Sequence, residues 1–289
     1  MAWCLNKVIW RVTAPLHIGW GKLGSLQRTR PYVTGRVLWG SLTMRLARCL
    51  APPESAVSDS GQYAEIGEKV NANLAFTYFY PAVAACGGYQ IFWPWEDEGL
   101  FRFRFLSSSM GTALVYTQNA AAYGTLHETE FISYRTLDSG EPVFLSGYIL
   151  ANTEWSAPWQ KALEFMQFGG ERGYGWGRVR LEKLEEVSPE EKKKLFGKNI
   201  EIINLQGERP ILRLPEGGKI LAHTRAKNFP GLGNIEPLVG REWRSSLPGN
   251  NGAGQHVDYN DICYLPGSKL KKATSFKIDK FGLWEAVSE

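Results

Sequence analysis

Apolar and polar positions alternate from Trp3 to Thr13, and this period of two predicts a strand. From Gly35 the period lengthens. Leu38, Leu42, Leu46 and Leu50 recur every four residues, which places them on one face of a helix, and Pro52-Pro53 ends it. Residues 54–73 are polar and read as a loop. Phe76 to Tyr80 and Gly88 to Trp95 read as strands. Leu100 to Leu106 alternates phenylalanine with arginine and reads as a strand with two unlike faces. The weakly patterned segment 107–130 reads as an excursion. Val143 to Leu150 predicts a strand. Trp159, Ala162, Leu163 and Met166 predict a helix with Pro158 in its first turn, and Val179 to Leu184 predicts the next strand.

With one strand pair taken as an excursion, this order is the split β-α-β-β-α-β plan of a ferredoxin-like α+β domain, the architecture of many RNA-recognition modules. It spans residues 1–185, with the insertion around 91–135. Ser188-Pro189-Glu190-Glu191 carries a serine cap, a first-turn proline and a glutamate three residues after the cap, so a connector helix starts there. Residues 186–289 form the second, C-terminal α+β lobe, expected to be a degenerate second ferredoxin-like half. Its strands are expected at 200–204, 211–214, 262–265 and within 276–286, with a long Gly-, Asn- and Pro-rich loop over 227–256.

Composition narrows the class. Of 289 residues, 44% are hydrophobic and 13% aromatic, enough to bury a core. A net charge of +4 and a pI near 8.8 suit a polyanionic partner without requiring one. The N-terminus MAWCLNKVIW has no basic region ahead of a long apolar run, so no secretory leader is expected. No apolar run is long enough to span a bilayer. Cys4, Cys49, Cys86 and Cys263 form no CxxC pair. Free thiols in a reducing cytoplasm, with neither metal nor cofactor, are the expectation.

Two stretches carry candidate chemistry. In Gly169-Gly170-Glu171-Arg172-Gly173-Tyr174-Gly175-Trp176-Gly177-Arg178 the glycines remove side-chain bulk and permit positive φ. Backbone amides there can reach phosphates, Arg172 and Arg178 add charge, and Tyr174 and Trp176 offer stacking rings. The same loop can equally be a packing device whose glycines only let helix and strand approach. The second stretch holds His17, Gly19 and Lys22, then Arg28, Arg30, Arg36 and Arg45, with Arg48 beyond. The split plan places its strand beside the last one, so these residues can flank the first loop. Two residues could serve catalysis. His17 is the best placed of four histidines to act as a general base on a 2′-hydroxyl, and Asp138, within Thr136-Leu137-Asp138-Ser139-Gly140, reads equally well as a turn residue. No HExxH, GxSxG or Walker pattern is present, and the sequence argues for binding more than for catalysis.

His17-Ile18-Gly19-Trp20-Gly21, the helix entry Tyr32-Val33-Thr34-Gly35-Arg36-Val37-Leu38-Trp39-Gly40-Ser41-Leu42, and Phe168 to Leu181 together resemble the repeat-associated (RAMP) superfamily of CRISPR effector proteins. The resemblance covers roughly residues 1–185 and is most specific in the glycine loop. Ala75-Phe76-Thr77-Tyr78-Phe79-Tyr80-Pro81 and Cys263-Tyr264-Leu265-Pro266-Gly267-Ser268 resemble segments of the subunit that caps the 5′ end of the guide RNA in type III complexes, with subtype III-D among the candidates. Thr34 and Arg36 stand where that pattern more usually has Pro and Ser. The resemblance implies a non-catalytic ribonucleoprotein subunit. It would hold the guide's 5′ tag and contact the large signalling subunit and the backbone RAMP subunits, meeting target RNA only indirectly. A backbone subunit cleaving target RNA through Asp138, and a guide-processing endoribonuclease using His17, are the alternatives.

Overall fold

A computed structural model describes residues 1–50, 59–227, 229–245, 254 and 256–287. Pro52, Pro53 and the most Gly- and Asn-rich part of the 227–256 segment lie outside the described residues.

The chain begins with β1 (Trp3–Val12), then a hairpin of β2 (Gly19–Leu23) and β3 (Leu26–Thr29), then helix α1 (Gly35–Leu50). Leu38, Leu42 and Leu46 are buried on one face of α1, while Leu50 is exposed. A second helix, α2 (Ser60–Asn73), occupies most of the polar stretch expected as a loop. The Asp59 carboxylate caps it by accepting from the Gly61 amide at 3.1 Å. Its small inward face, Gly67 and Val70, suits packing on α1, where the Trp39 indole donates to the Gly67 carbonyl at 2.8 Å.

β4 (Leu74–Phe76), β5 (Tyr80–Ala85) and β6 (Gly88–Ile91) follow. The Phe/Arg alternation expected as a strand is instead helix α3 (Glu98–Phe105). Phe101 and Phe105 are four apart, so one helix face buries both, and Phe103 is left exposed. Asp97 caps the helix through the Leu100 amide at 2.9 Å. The excursion continues as β7 (Leu106–Gly111), β8 (Leu114–Val115), β9 (Ala120–Ala121) and β10 (His127–Ile132). Then come β11 (Phe144–Asn152), the single-turn α4 (Trp159–Ala162), the glycine loop and β12 (Val179–Glu186).

The main sheet runs β12-β1-β11-β5-β6, with β4 also on β11, and β1 lies antiparallel between β12 and β11. With α1 after β1 and α4 after β11, this is the ferredoxin-like strand order, and the chain is α+β. The glycine-rich stretch after Pro15, expected to be irregular, is the β2–β3 hairpin. It joins the excursion in a separate sheet of order β2-β3-β10-β7.

Both faces of the main sheet are covered. Val8, Trp10, Val12, Leu145 and Ile149 pack with α1 and the α4 region. Leu5, Tyr148 and Leu150 pack with the C-terminal lobe through Tyr32, Tyr78, Tyr80, Leu212, Phe276 and Trp284. Every residue of β11 is therefore buried. Ser188 caps the single turn α5 (Pro189–Lys192) by accepting from the Glu191 amide at 3.2 Å.

The C-terminal lobe is built on strands. β13 (Glu201–Asn204), β14 (Ile211–Leu214), β15 (Thr224–Arg225), β17 (Ile235–Glu242), β18 (His256–Tyr264), β20 (Thr274–Ile278) and β21 (Trp284–Ala286) form one sheet of order β13-β14-β20-β21-β15-β18-β17. β16 (Gly231–Leu232) pairs with β19 (Lys269–Leu270). Beyond α5, the described residues of this lobe hold only 3-10 turns between strands. β17 crosses the segment expected as a long loop.

Candidate nucleic-acid interface

The glycine loop is closed at its base and projects at its tip. Gly169 and Gly177 have φ of +75° and +77°. A Cβ on Gly169 would lie 2.0 Å from the His17 carbonyl oxygen, and one on Gly177 would lie 1.9 Å from that of Phe168. The Gly170 amide donates to His17 O at 2.9 Å, the Gly177 amide to Pro15 O at 2.7 Å, and the Phe168 amide to Gly177 O at 2.9 Å. The Gln167 side chain ties the interior, donating to Trp176 O at 2.7 Å and Arg172 O at 3.3 Å. The base of the loop is thus a packing device that locks the last strand onto the segment after the first.

The tip is different. Residues 172–174 form a 3-10 turn whose Tyr174 and Gly175 amides bond back to Glu171 and Arg172. Gly170, Tyr174, Gly175, Trp176 and Gly177 therefore donate within the protein. The Glu171, Arg172 and Gly173 amides have no hydrogen-bond partner among the described residues. Tyr174 is 84% exposed. Trp176 packs edge-on against Phe131, with centroids 5.0 Å apart, so one of the two expected stacking rings is committed to the protein.

The second half of α1 brings arginines to this tip. Arg172 Nη1 lies 3.4 Å from Met44 Sδ. Partial burial lowers the Arg45 pKa, and the neighbouring charges of Arg48 and Arg172 lower it further. Arg45 Nε is buried without a partner. Among the described residues, Arg45, Arg48, Arg172 and Arg178 form no ion pair with a carboxylate. Arg45, Arg48 and Arg172 thus concentrate like charge beside the loop tip, with no carboxylate paired to them among the described residues.

The other expected arginines divide. Arg28, half-buried on β3, lies over the Trp20 ring at 5.0 Å, and Lys22 is exposed on the neighbouring β2. Arg30 and Arg36 are used inside the protein. Arg30 pairs with Glu236 at 2.7 Å. Arg36 pairs with Glu242 and lies over the rings of Trp39 and Phe281 at 5.4 and 4.8 Å. Both fasten the N-terminal domain to the C-terminal lobe.

His17 is buried, its Nδ1 2.6 Å from the Glu130 carbonyl oxygen. The other edge of its ring lies between Gly19 and Gly170, so the two glycine segments meet over it. Asp138 sits in a turn, 3.4 Å from Arg104 Nε and bonded by the Ser139 hydroxyl at 3.2 Å. Arg104 also pairs with Glu141 at 2.8 Å. Asp138→Asn is expected to leave RNA affinity unchanged and to move a urea midpoint only slightly. Loss of cleavage of an added target RNA in this variant would instead make the turn an active site. Among the described residues no group of three or more His, Cys, Asp or Glu side chains could hold a metal ion, and no helix is long and apolar enough to cross a membrane.

One polar constellation has no signal in the sequence, because its members are far apart in the chain. The Tyr78 hydroxyl lies 2.7 Å from His223 Nδ1, and His223 Nε2 lies 2.6 Å from the Glu236 carboxylate that also holds Arg30. Tyr32 stacks on Tyr78 with centroids 5.7 Å apart. Burial pushes the His223 pKa down to about 4, against the pull of the Glu236 hydrogen bond. The neutral imidazole then donates from Nε2 to Glu236 and accepts the Tyr78 proton at Nδ1. At 0% exposure it is a lock between the two parts of the chain rather than a site open to a ligand.

No family model matches the chain, and no curated protein matches it. Among solved structures, the chain is similar to one in a cryo-EM structure of the type III-B Cmr-beta complex bound to cognate target RNA and AMPPnP. Identity there is 12% over 92% of this chain and 86% of that one, with a TM-score of 0.49. It is similar to a chain of Cmr-beta bound to cognate target RNA at 11% identity, over 92% and 86% of the two chains, with a TM-score of 0.46. It is also similar to a chain of the apo state at 10% identity, covering 64% of this chain and 98% of that one, with a TM-score of 0.39.

Proposed function

We propose that the chain is a non-catalytic guide-RNA-binding subunit of a type III CRISPR effector, holding the 5′ tag of the guide. The observation that carries the binding half of this reading is the cluster of Arg45, Arg48 and Arg172, with no carboxylate paired to them among the described residues, around a tip with open amides and exposed Tyr174. The RAMP-like sequence motifs supply the guide RNA as the ligand and the other effector subunits as partners. The main sheet cannot serve as the RNA platform it is in recognition modules, because the C-terminal lobe covers its open face. The loop tip is then the exposed, cationic surface left to the strand. Arginines contact phosphates there, and Tyr174 stacks on a base.

The test is titration of the protein with a fluorescein-labelled single-stranded RNA bearing the repeat-derived tag. Arg45→Glu combined with Arg172→Glu is expected to weaken binding at least about tenfold at low salt. It should also flatten the dependence of log affinity on log salt by about 0.7 for each phosphate no longer neutralised. Unchanged affinity and unchanged salt slope would remove the site.

A further inference from the structure

We infer a second nucleic-acid subsite beside the loop: Trp20, on the β2–β3 hairpin, is a stacking platform for an unpaired base of the same RNA strand. This rests on the reading of the chain as an RNA-binding protein and extends it to a residue no motif marks as a contact. Every residue of β2 is exposed, and Trp20 is 46% exposed. On the edge strand of its sheet, nearly half of Trp20 is left open to a partner. Its sequence neighbours on the strand are Gly19 and Gly21, which add no side chain of their own.

The ring is also held. Arg28 lies over it at 5.0 Å and Arg30 at 5.7 Å. Arg30 is fixed in turn by Glu236 at 2.7 Å, so the platform is braced from the C-terminal lobe. Arg28 has no carboxylate partner among the described residues and can meet the phosphate next to a stacked base. A ring held by arginines that lie over it suits an anionic nucleotide better than an apolar protein surface. Gly19, next to Trp20, lies against His17, whose ring reaches Gly170. The hairpin that carries Trp20 and the base of the loop therefore meet over the buried His17 ring.

The test compares two labelled single strands of equal length, one intact and one with its bases replaced by abasic sites. Trp20→Leu is expected to weaken binding of the intact strand by about 5- to 100-fold, the loss of one stacked base. Trp20→Phe should recover most of that loss, and Trp20→Leu should leave the abasic strand unaffected. Arg45→Glu with Arg172→Glu should weaken both strands. The platform is overturned if Trp20→Leu leaves the intact strand unaffected or weakens both strands equally, while the arginine variant still loses binding. If neither variant changes binding, the RNA-binding reading itself falls.

Discussion

Gly177→Ala is expected to unfold at a markedly lower urea concentration than the parent chain, with a loss of about 3–4 kcal/mol. Its φ of +77° is a left-handed conformation that costs an L-residue about 1–2 kcal/mol. The new methyl would also lie 1.9 Å from the Phe168 carbonyl oxygen, so the backbone must move. That movement endangers the Gly177 amide bond to Pro15 O and the Phe168 amide bond to Gly177 O, each worth about 1 kcal/mol. Gly169→Ala should behave alike, because its methyl would meet His17 O. Gly173→Ala is the control. It sits at the tip with no atom within 4 Å of a Cβ, and should fall within about 0.5 kcal/mol of the parent. If Gly177→Ala and Gly173→Ala unfold together, the base of the loop does not lock the fold.

Glu236→Ala should cost about 3–5 kcal/mol, because it strips the partner from a nearly buried Arg30 and from His223 at once. The side chains of Arg30 and Glu236 are only 12% and 13% exposed, so water cannot readily replace the missing carboxylate. The same lock makes stability depend on pH. The folded pKa of His223 is depressed to about 4 from an ordinary 6.5. In that window the unfolded chain binds the extra proton, so stability is full above about pH 6.5 and falls as pH drops toward 4. The two limits correspond to about 3 kcal/mol. Glu236 acts in the same direction. Burial pushes its pKa up, but the His223 and Arg30 contacts prevail and hold it below the carboxylate norm, so acid removes its contribution too. Urea midpoints measured from about pH 7.5 to 4.5 should drop steeply for the parent and less for His223→Gln. Parallel curves would mean that His223 is not buried neutral.

The parts of the fold visible in the sequence are those where one face is buried and local chemistry agrees. The leucine spacing of α1, the alternation of β1 and the serine cap at 188 are of this kind. The Phe101–Phe105 segment misleads because a spacing of four contains a spacing of two; the Asp97 cap is the signal that favours a helix there. α2 is hidden because a small, partly polar face suffices to pack on α1. Between 201 and 286 the described residues form a seven-stranded sheet, whose short apolar runs do not distinguish strands from other buried elements in the sequence.

The candidate site is half visible. The glycine loop and its neighbour after the first strand do meet, over His17. Which arginines face outward depends on carboxylates more than 200 residues away in sequence, as for Arg30 with Glu236 and Arg36 with Glu242. In the lock, Tyr78 reaches His223 across 145 residues, and His223 reaches Glu236 across 13.

Whether this chain holds one end of a guide RNA at the loop tip is tested most directly by purifying it with its natural partners, crosslinking by ultraviolet light, and determining both the bound RNA and the crosslinked residues. A guide-holding subunit should carry a short RNA of uniform 5′ end, with crosslinks concentrated at 172–178, on α1 near Arg45 and at Trp20. RNA of random ends, or crosslinks that never fall on those residues, would contradict that role.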